Sequence, residues 1–499
     1  MICIPIVAST EQDGLLDLER AERIADVIEF RLDLLPGDSW SLLLGKRTKP
    51  CIVTLRSERQ GGRFRGGEAE RLRILEETLA FHPSFIDIEW DTPPELIERL
   101  RKRKGEKTSL ILSYHDFDGT PDDLEGIWQK IHSRGGDLVK IATFAQGLGD
   151  VVRVLHLAQN HAGRIIAFCM GPTGIPSRIL TLRFGGLLTY GCLEERKASA
   201  PGQISAEDLI GIYRVKTINE DTRIFALIGN PLSHSLSPVI HNEALQHHGV
   251  NALYVPFEVP DLKGLLSAFE WMRVEGTSVT LPYKEKIIPF LDEVDEKAKA
   301  IGAVNTVCRR GDKWVGKNTD ADGAWKALTG AGIDLTNRPW TILGPGGAAR
   351  AIAYSAGIYG RPRSLTFLGR DPKRLEALAR EMRQLFSFPL YIGHLNGGDP
   401  ERRFDHDDII VNCTPVGMFP GIDGVPIAPR TLSPSHLVFD TVYNPLETRL
   451  LREGRDRGCK TVSGFEMFLH QGAAQFELWT GRKAPLDLMR QKALERLGR

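Results

Sequence analysis

The chain has 499 residues, more than one ordinary hydrophobic core accommodates, so two or three domains are expected. Lysine plus arginine and aspartate plus glutamate each number 64, which leaves no overall basic field to recruit nucleic acid or an anionic membrane. The 7 cysteines are scattered and form no Cys-x-x-Cys or Cys/His ligand cluster, so a reducing cytoplasm and no metal are expected. Met1 leads into Ile-Cys-Ile-Pro-Ile-Val-Ala8, too short for a signal-peptide core, and no apolar run is long enough to span a membrane.

From residue 1 to about 215, short β-rich runs alternate with amphipathic, charge-studded segments, the pattern of repeated βα units. The predicted strands are Ile2 to Ala8, Val27 to Asp33, Cys51 to Ser57, Phe85 to Trp90, Thr108 to Asp116, Leu138 to Phe144, Arg164 to Gly171 and Leu187 to Leu193. Eight such strands with intervening helices predict a (β/α)8 TIM-type barrel, whose site lies at the C-terminal strand ends. Polar residues collect there: Glu29 and Arg31 on strand two, Arg56 on three, Glu89 on four, His115 on five and Lys140 on six, with Arg178 after strand seven. For each residue alone a solvated strand end is the plainer reading. Recurrence on strand after strand is what argues for a site. The run Arg101 to Lys107 reads as a solvated helix end.

Lys140 ends a short apolar run, and a lysine among other cations can lose its proton and attack a ketone. Once an iminium forms, a proton on the neighbouring carbon becomes acidic enough for a histidine such as His115 to remove, which suits a dehydration. Glu89 could orient that imidazole, and Arg31, Arg56 and Arg178 could bind a carboxylate and depress the lysine. A hydrogen-bonded core histidine is the competing reading of His115 taken by itself.

A polar linker, Lys216 to Asp221, precedes a new strand at Arg223 to Gly229, and further strands are predicted at Leu253 to Phe257 and Thr277 to Leu281. Gly229-Asn-Pro-Leu-Ser-His-Ser-Leu-Ser-Pro238 places Ser235 and Ser237 just before a helix starting near Pro238, where hydroxyls can bind a carboxylate or Ser237 can simply cap the helix. Val279-Thr-Leu-Pro-Tyr-Lys284 and Lys317-Asn-Thr-Asp320 supply a lysine and an acid whose pairing would keep a proton donor beside a substrate oxygen, as hydride transfer requires; a structural ion pair is the alternative. Thr341-Ile-Leu-Gly-Pro-Gly-Gly-Ala-Ala-Arg350 follows a strand and opens a helix, the setting of a dinucleotide-binding turn. After the next strand, Ser364 to Leu368, the cations Arg370, Lys373 and Arg374 suit the 2′-phosphate of NADP, whereas Asp371 is close enough to serve as an NAD-type acid.

Through Glu29-Phe-Arg-Leu-Asp33, Thr54-Leu-Arg56, Ser113-Tyr-His-Asp116, Val139-Lys-Ile-Ala142, Ser177-Arg178 and Lys197-Ala-Ser-Ala-Pro-Gly-Gln203, the first half resembles type I 3-dehydroquinate dehydratase. The resemblance implies that Lys140 forms an imine with the substrate ketone, that His115 is general base and acid, and that Glu89 supports it. It also implies that Arg178, Ser199 and Gln203 hold the carboxylate side, while Glu29, Arg31 and Arg56 contact hydroxyl or carboxylate groups. The second half resembles shikimate dehydrogenase, adding Gly302-Ala-Val-Asn-Thr306, Asn412-Cys-Thr-Pro-Val-Gly-Met418, Asp440-Thr-Val-Tyr-Asn-Pro445 and Gly464-Phe-Glu-Met-Phe-Leu-His-Gln471. That likeness implies a catalytic pair Lys284 and Asp320, with Ser235, Ser237, Thr280, Asn305, Tyr443 and Gln471 around the substrate. NADP would lie against Gly344, Gly346, Gly347, Ala348, Arg370, Lys373, Arg374, Thr414 and Gly464. Ser278, Gly369 and Cys413 depart from the residues usual in that family, on the cofactor side more than at the catalytic pair.

The two resemblances fit one pathway, because the dehydratase product, 3-dehydroshikimate, is the ketone that the dehydrogenase reduces. They imply a barrel over 1–216, a substrate-binding domain over 222–330 completed by 465–499, and a Rossmann-like NADP domain over 335–464. The expected partners are small molecules, 3-dehydroquinate and 3-dehydroshikimate, and the expected compartment is the cytoplasm, or a plastid for a trimmed plant protein. A quinate dehydrogenase using NAD is the second reading of the C-terminal half, opposed by Ser235 with Ser237 and by the cations after Leu368. A non-catalytic scaffold is the third, and it predicts a missing Lys, His or Asp where none is missing.

Overall fold

Alternation of β-rich and amphipathic segments builds the first unit, Met1–Ile224 with Asn251–Val274. The structure is a computed structural model and describes every residue except 198, 396–403, 405, 406 and 499, so Ala198 of the Lys197 to Gln203 segment lies outside it. Strands β1 (Ile2–Ile6), β2 (Val27–Arg31), β3 (Cys51–Thr54), β4 (Phe85–Glu89), β5 (Ser109–His115), β6 (Leu138–Phe144), β7 (Ile165–Met170), β8 (Thr189–Cys192) and β9 (Ile204–Ser205) form one sheet in the order β7-β6-β5-β4-β3-β2-β1-β8-β9. The pairings from β1 to β8 are parallel, and the Leu187 N–H donates to the Ile165 carbonyl, joining the segment that enters β8 to β7. Cys3, Val27, Ile52, Ile111, Ala142, Ile166, Phe168 and Tyr190 pack into one buried cluster, the barrel interior, so the eight-strand reading holds.

β6 spans the predicted Leu138 to Phe144, whereas the other seven barrel strands stop one to three residues short of their predicted C-terminal ends; for β3 the reason lies in the site. After β3 the Arg56 and Ser57 N–H groups bond to the carboxylates of Asp33 and Glu89. Side-chain acceptors there replace the ladder, which satisfies the backbone while freeing the chain to turn. Arg101, Lys102 and Arg103 fall in the last turn of helix Pro94–Arg103, where cations complement the helix dipole.

The second unit is Phe225–Val250 with Glu275–Arg499. It contains the strands Val274–Val279, Thr306–Arg310 and Lys313–Lys317, paired antiparallel in that order. A separate parallel sheet has the strand order Leu390–His394, Ser364–Gly369, Pro339–Leu343, Ile409–Asn412, Leu437–Asp440, Lys460–Ser463. This is the 3-2-1-4-5-6 order of a dinucleotide fold, and its ligand crevice lies where the order reverses, at the ends of Pro339–Leu343 and Ile409–Asn412. Trp340, Ile342, Ile352, Phe367, Leu378 and Phe439 lie in its core cluster.

Two candidate active sites

Lys140 lies on β6 and is 5% exposed, its Nζ donating to Asp87 Oδ2 at 3.1 Å and to the Tyr190 hydroxyl at 3.0 Å. Glu29 Oε1 lies 3.9 Å away and accepts from the Thr54 hydroxyl. Sheet register explains the grouping, because Ser113 on β5 is the register neighbour of both Glu89 on β4 and Lys140 on β6. Asp87 Oδ1 accepts from Arg56 Nη2 at 2.6 Å and from the Ser113 hydroxyl at 2.7 Å. Burial alone would raise the Asp87 carboxyl, but Arg56, Lys140 and His115 outweigh it and hold Asp87 well below the usual carboxylate range.

His115 shares a pocket with Lys140, Glu29, Arg31, Arg56, Arg178, Ser199 and Gln203. Burial, reinforced by Arg56 and Lys140, pushes its imidazole well below the ordinary value, with Asp87 pulling the other way. Its Nδ1 has no hydrogen-bond partner among the described residues. The expected support from Glu89 is not what the geometry gives. Glu89 accepts from the Ser57 N–H and pairs with Arg71 and Arg56, while the His115 N–H donates to Gln60 Oε1. The expectation that arginines crowd Lys140 also changes, since the charged groups paired with its Nζ are carboxylates.

Arg31 forms a two-pronged pair with Asp33, and Arg178 stacks its guanidinium 4.4 Å from the Phe168 ring centroid and donates to the Pro201 carbonyl. Burial lowers Arg178 to about 10. Ser199 donates its N–H to Gln203 Oε1 at 2.8 Å. Gly202, at φ +72, lies so close to Gly171, the residue after β7, that a Cβ would approach the Gly171 carbonyl oxygen to 2.4 Å, and Ser199, Ala200 and Gln203 of the same segment line the pocket.

In the second unit Lys284 Nζ donates to Asp320 Oδ2 at 2.6 Å. Asp320 opens helix Asp320–Gly330, where the dipole favours a carboxylate, and its Oδ1 accepts from Asn305 Nδ2 at 2.8 Å. Asn305 Nδ2 also reaches Gln471 Oε1 at 3.3 Å and Thr319. Thr280 is held by its N–H to the Ile228 carbonyl. Helix Ser237–His247 starts with Leu236 as its cap residue and no side-chain cap, so Ser237 does not cap it; its N–H instead donates to the Ser235 hydroxyl at 3.3 Å. Burial raises the Tyr443 phenol, against hydrogen bonds at Leu236 and Ser235, and Tyr443 stacks on Phe468 at 4.5 Å.

The residues around the Gly344–Ala348 turn fit a dinucleotide. Gly344 has φ +100, Gly346 precedes helix Gly347–Ser355, and a Cβ on Gly346 would meet nothing within 4 Å, leaving open space at the helix N-terminus for a pyrophosphate. A Cβ on Gly347 would come to 3.0 Å of Lys284 Cβ, so the turn lies against the lysine. The Thr414 hydroxyl donates to Asn412 Oδ1, and Gly464 packs on the Asp440 and Thr441 carbonyls. Asp371 caps helix Pro372–Leu385, its Oδ1 accepting the N–H groups of Lys373 and Arg374.

Residues 2–220 match the type I 3-dehydroquinase family, residues 227–307 the shikimate dehydrogenase substrate binding domain, and residues 464–494 the shikimate 5′-dehydrogenase C-terminal domain. A chloroplastic bifunctional 3-dehydroquinate dehydratase/shikimate dehydrogenase from Arabidopsis thaliana is 35% identical over 98% of this chain and 83% of its own. The chain belongs to this bifunctional family. A shikimate dehydrogenase (NADP(+)) from Symbiobacterium thermophilum is 40% identical over 55% of this chain and 95% of its own. A crystal structure of a shikimate dehydrogenase in complex with NADP+ is 35% identical and aligns with a TM-score of 0.52, covering 56% of this chain and 98% of that one. The protein is therefore an enzyme with two activities, a dehydroquinase (lyase) in its first half and a shikimate dehydrogenase (oxidoreductase) in its second. No helix among the described residues is long and apolar enough to cross a membrane.

Sequence reading missed four groups at these two sites: Asp87, Tyr190, Gln60 and Gln475. Asp87 and Glu89 alternate in Phe85-Ile-Asp-Ile-Glu89, so an acid in mid-strand was the available signal. Tyr190 carried none, because an aromatic residue in a strand is ordinary. Gln475 donates to the Asn305 carbonyl and the Thr306 hydroxyl and accepts from Ser278, one helical turn beyond Gln471.

Proposed function

We propose that the first half dehydrates 3-dehydroquinate through an imine on Lys140, and that the second reduces the resulting 3-dehydroshikimate to shikimate with NADPH. The observation that carries this reading is that each half holds its own lysine–aspartate pair, Lys140 with Asp87 inside the barrel and Lys284 with Asp320 beside a dinucleotide turn. The domains are taken as a barrel over 1–216, a substrate-binding domain over 222–330 completed by 465–499, and an NADP domain over 335–464.

In the barrel, Lys140 attacks the ketone carbon and water leaves the carbinolamine to give an iminium. His115, kept neutral by its depressed pKa, removes the proton on the adjacent carbon and then returns it to the departing hydroxyl. Hydrolysis releases the enone and restores Lys140. Glu29, Arg31, Arg56, Arg178, Ser199 and Gln203 hold the hydroxyl and carboxylate groups, and Glu89 braces Arg56 and Arg71 rather than the imidazole.

In the second half, bound NADPH supplies the hydride. Lys284 gives a proton to the carbonyl oxygen, and Asp320, fixed by Asn305, keeps the lysine aimed. Ser235, Ser237, Thr280, Tyr443 and Gln471 bind the substrate, while Gly344, Gly346, Gly347, Ala348, Thr414 and Gly464 line the cofactor. Arg370, Lys373 and Arg374 would hold the 2′-phosphate of NADPH, a reading supported by the capping role of Asp371.

Lys140→Ala should abolish dehydration and leave NADPH-dependent reduction intact, and Lys284→Ala should do the reverse, in separate initial-rate assays. Borohydride should trap a substrate adduct on Lys140 during turnover. Loss of both activities from either change in a folded protein would refute the two-site reading.

A further inference from the structure

The residue after Lys284 ties its loop to two helices of the dinucleotide fold. Arg350, on helix Gly347–Ser355 and 7% exposed, brings Nε to 3.4 Å of Glu285 Oε2, and its Nη1 pairs with Glu381 on helix Pro372–Leu385. Arg374, in the first turn of that second helix, places Nη2 3.3 Å from Glu285 Oε1. Each oxygen of Glu285 therefore faces one arginine. Of the three cations that follow strand Ser364–Gly369, Arg374 alone has a side-chain carboxylate against it among the described residues; Arg370 and Lys373 form no ion pair. Asp371 forms no ion pair with them among the described residues, and its Oδ1 accepts the N–H groups of the helix.

We infer that Glu285 is a specificity-determining residue that tempers NADPH affinity by holding Arg374. The inference rests on the reading of Arg374 as a 2′-phosphate ligand. A dianionic phosphate arriving at Arg374 must share the guanidinium with a carboxylate 3.3 Å away, whose like charge also opposes the phosphate. A dinucleotide that ends in a ribose hydroxyl brings no such charge, so Glu285 leaves it unaffected. Both side chains are partly exposed, 53% and 35%, so the effect is that of a surface ion pair, about twofold to fivefold in affinity, and it is screened by salt.

The test is calorimetric titration of the full-length protein with NADP+ and with NAD+, using Glu285→Gln, Arg374→Ala and the double variant, with the dehydratase rate and thermal unfolding as checks of folding. Glutamine keeps an oxygen for Arg350, and Glu381 continues to pair with that arginine. Glu285→Gln should lower the Kd for NADP+ about twofold to fivefold at low salt, leave NAD+ unchanged, and lose most of its effect at high salt. Arg374→Ala should weaken NADP+ about tenfold or more and erase the effect of Glu285→Gln in the double variant. An equal shift for both dinucleotides, or no shift, with Arg374→Ala still weakening NADP+, overturns the role of Glu285 alone. Unchanged NADP+ binding in Arg374→Ala overturns the phosphate-ligand reading and the inference together.

Discussion

Lys140 and Lys284 are each bonded to an aspartate, yet their surroundings suit different chemistry. Lys140 lines a pocket with Glu29 and Tyr190 and bonds to the buried Asp87, whereas Lys284 lies against a glycine turn where a dinucleotide fits. In the proposed dehydration the group that takes the substrate proton must be a base, and the surroundings of His115 suit one. Desolvation, with Arg56 and Lys140 nearby, pushes its pKa well below 6.5, so the ring stays neutral as the pH drops through the range where a free imidazole would charge. Dehydration measured as kcat/KM should therefore change less than about twofold between pH 7.5 and 6.5, with its acid limb lower. A limb centred near 6.5 would show a solvent-like imidazole and contradict the assignment. Stability has the same sign: His115 in the unfolded chain takes up a proton below about 6.5 and the folded one does not, so this contribution to stability declines as the pH falls below that value.

At the level of elements, the dehydrogenase site depends on how closely two helices approach. A Cβ on Gly323, in helix Asp320–Gly330, would come to 3.0 Å of Gln471 Cβ and N and of the Met467 carbonyl on helix Gly464–Thr480. That approach lets Gln471 and Asn305 meet beside Asp320. Gly323→Ala should push the helices apart by a few tenths of an ångström, destabilise the protein by about 1–3 kcal/mol, and raise the KM for 3-dehydroshikimate while the dehydratase KM stays fixed. Thermal unfolding and two initial-rate assays check it. Such a contact is invisible in sequence, where Gly323 is one small residue in a helix. What the sequence does express is periodicity and one-sided chemistry: the eight barrel strands, the glycine turn, and polar residues at strand ends. The end of β3 is placed too late by the sequence pattern because Arg56 and Ser57 give their backbone N–H groups to carboxylates distant in sequence, a substitution that local pattern cannot encode. The partner of His115 was misread for a related reason. Glu89 precedes β5 by one strand, but its neighbours Arg71, Arg56 and Ser57 come from the preceding βα unit and take up its oxygens.

For the whole molecule, the decisive property is that, among the described residues, the bonds drawn at each site come from that site's own unit. Every bond drawn to Lys140 comes from within Met1–Ile224, and every bond drawn to the Lys284–Asp320 pair comes from within the second unit. Two inactive proteins should therefore repair each other without exchanging parts. An equimolar mixture of Lys140→Ala and Lys284→Ala, given 3-dehydroquinate and NADPH, should form shikimate, because the first retains the reductase site and the second the dehydratase site. Each alone should form none. The ketone made by one polypeptide must reach the other through solution, so NADPH oxidation should begin with a lag while that ketone accumulates. Raising the concentration of Lys140→Ala alone should shorten the lag in proportion, since that variant consumes the ketone. A mixture that oxidises no NADPH, although each variant keeps its single activity, would mean that the sites depend on one another in a way their separate hydrogen-bond networks do not explain.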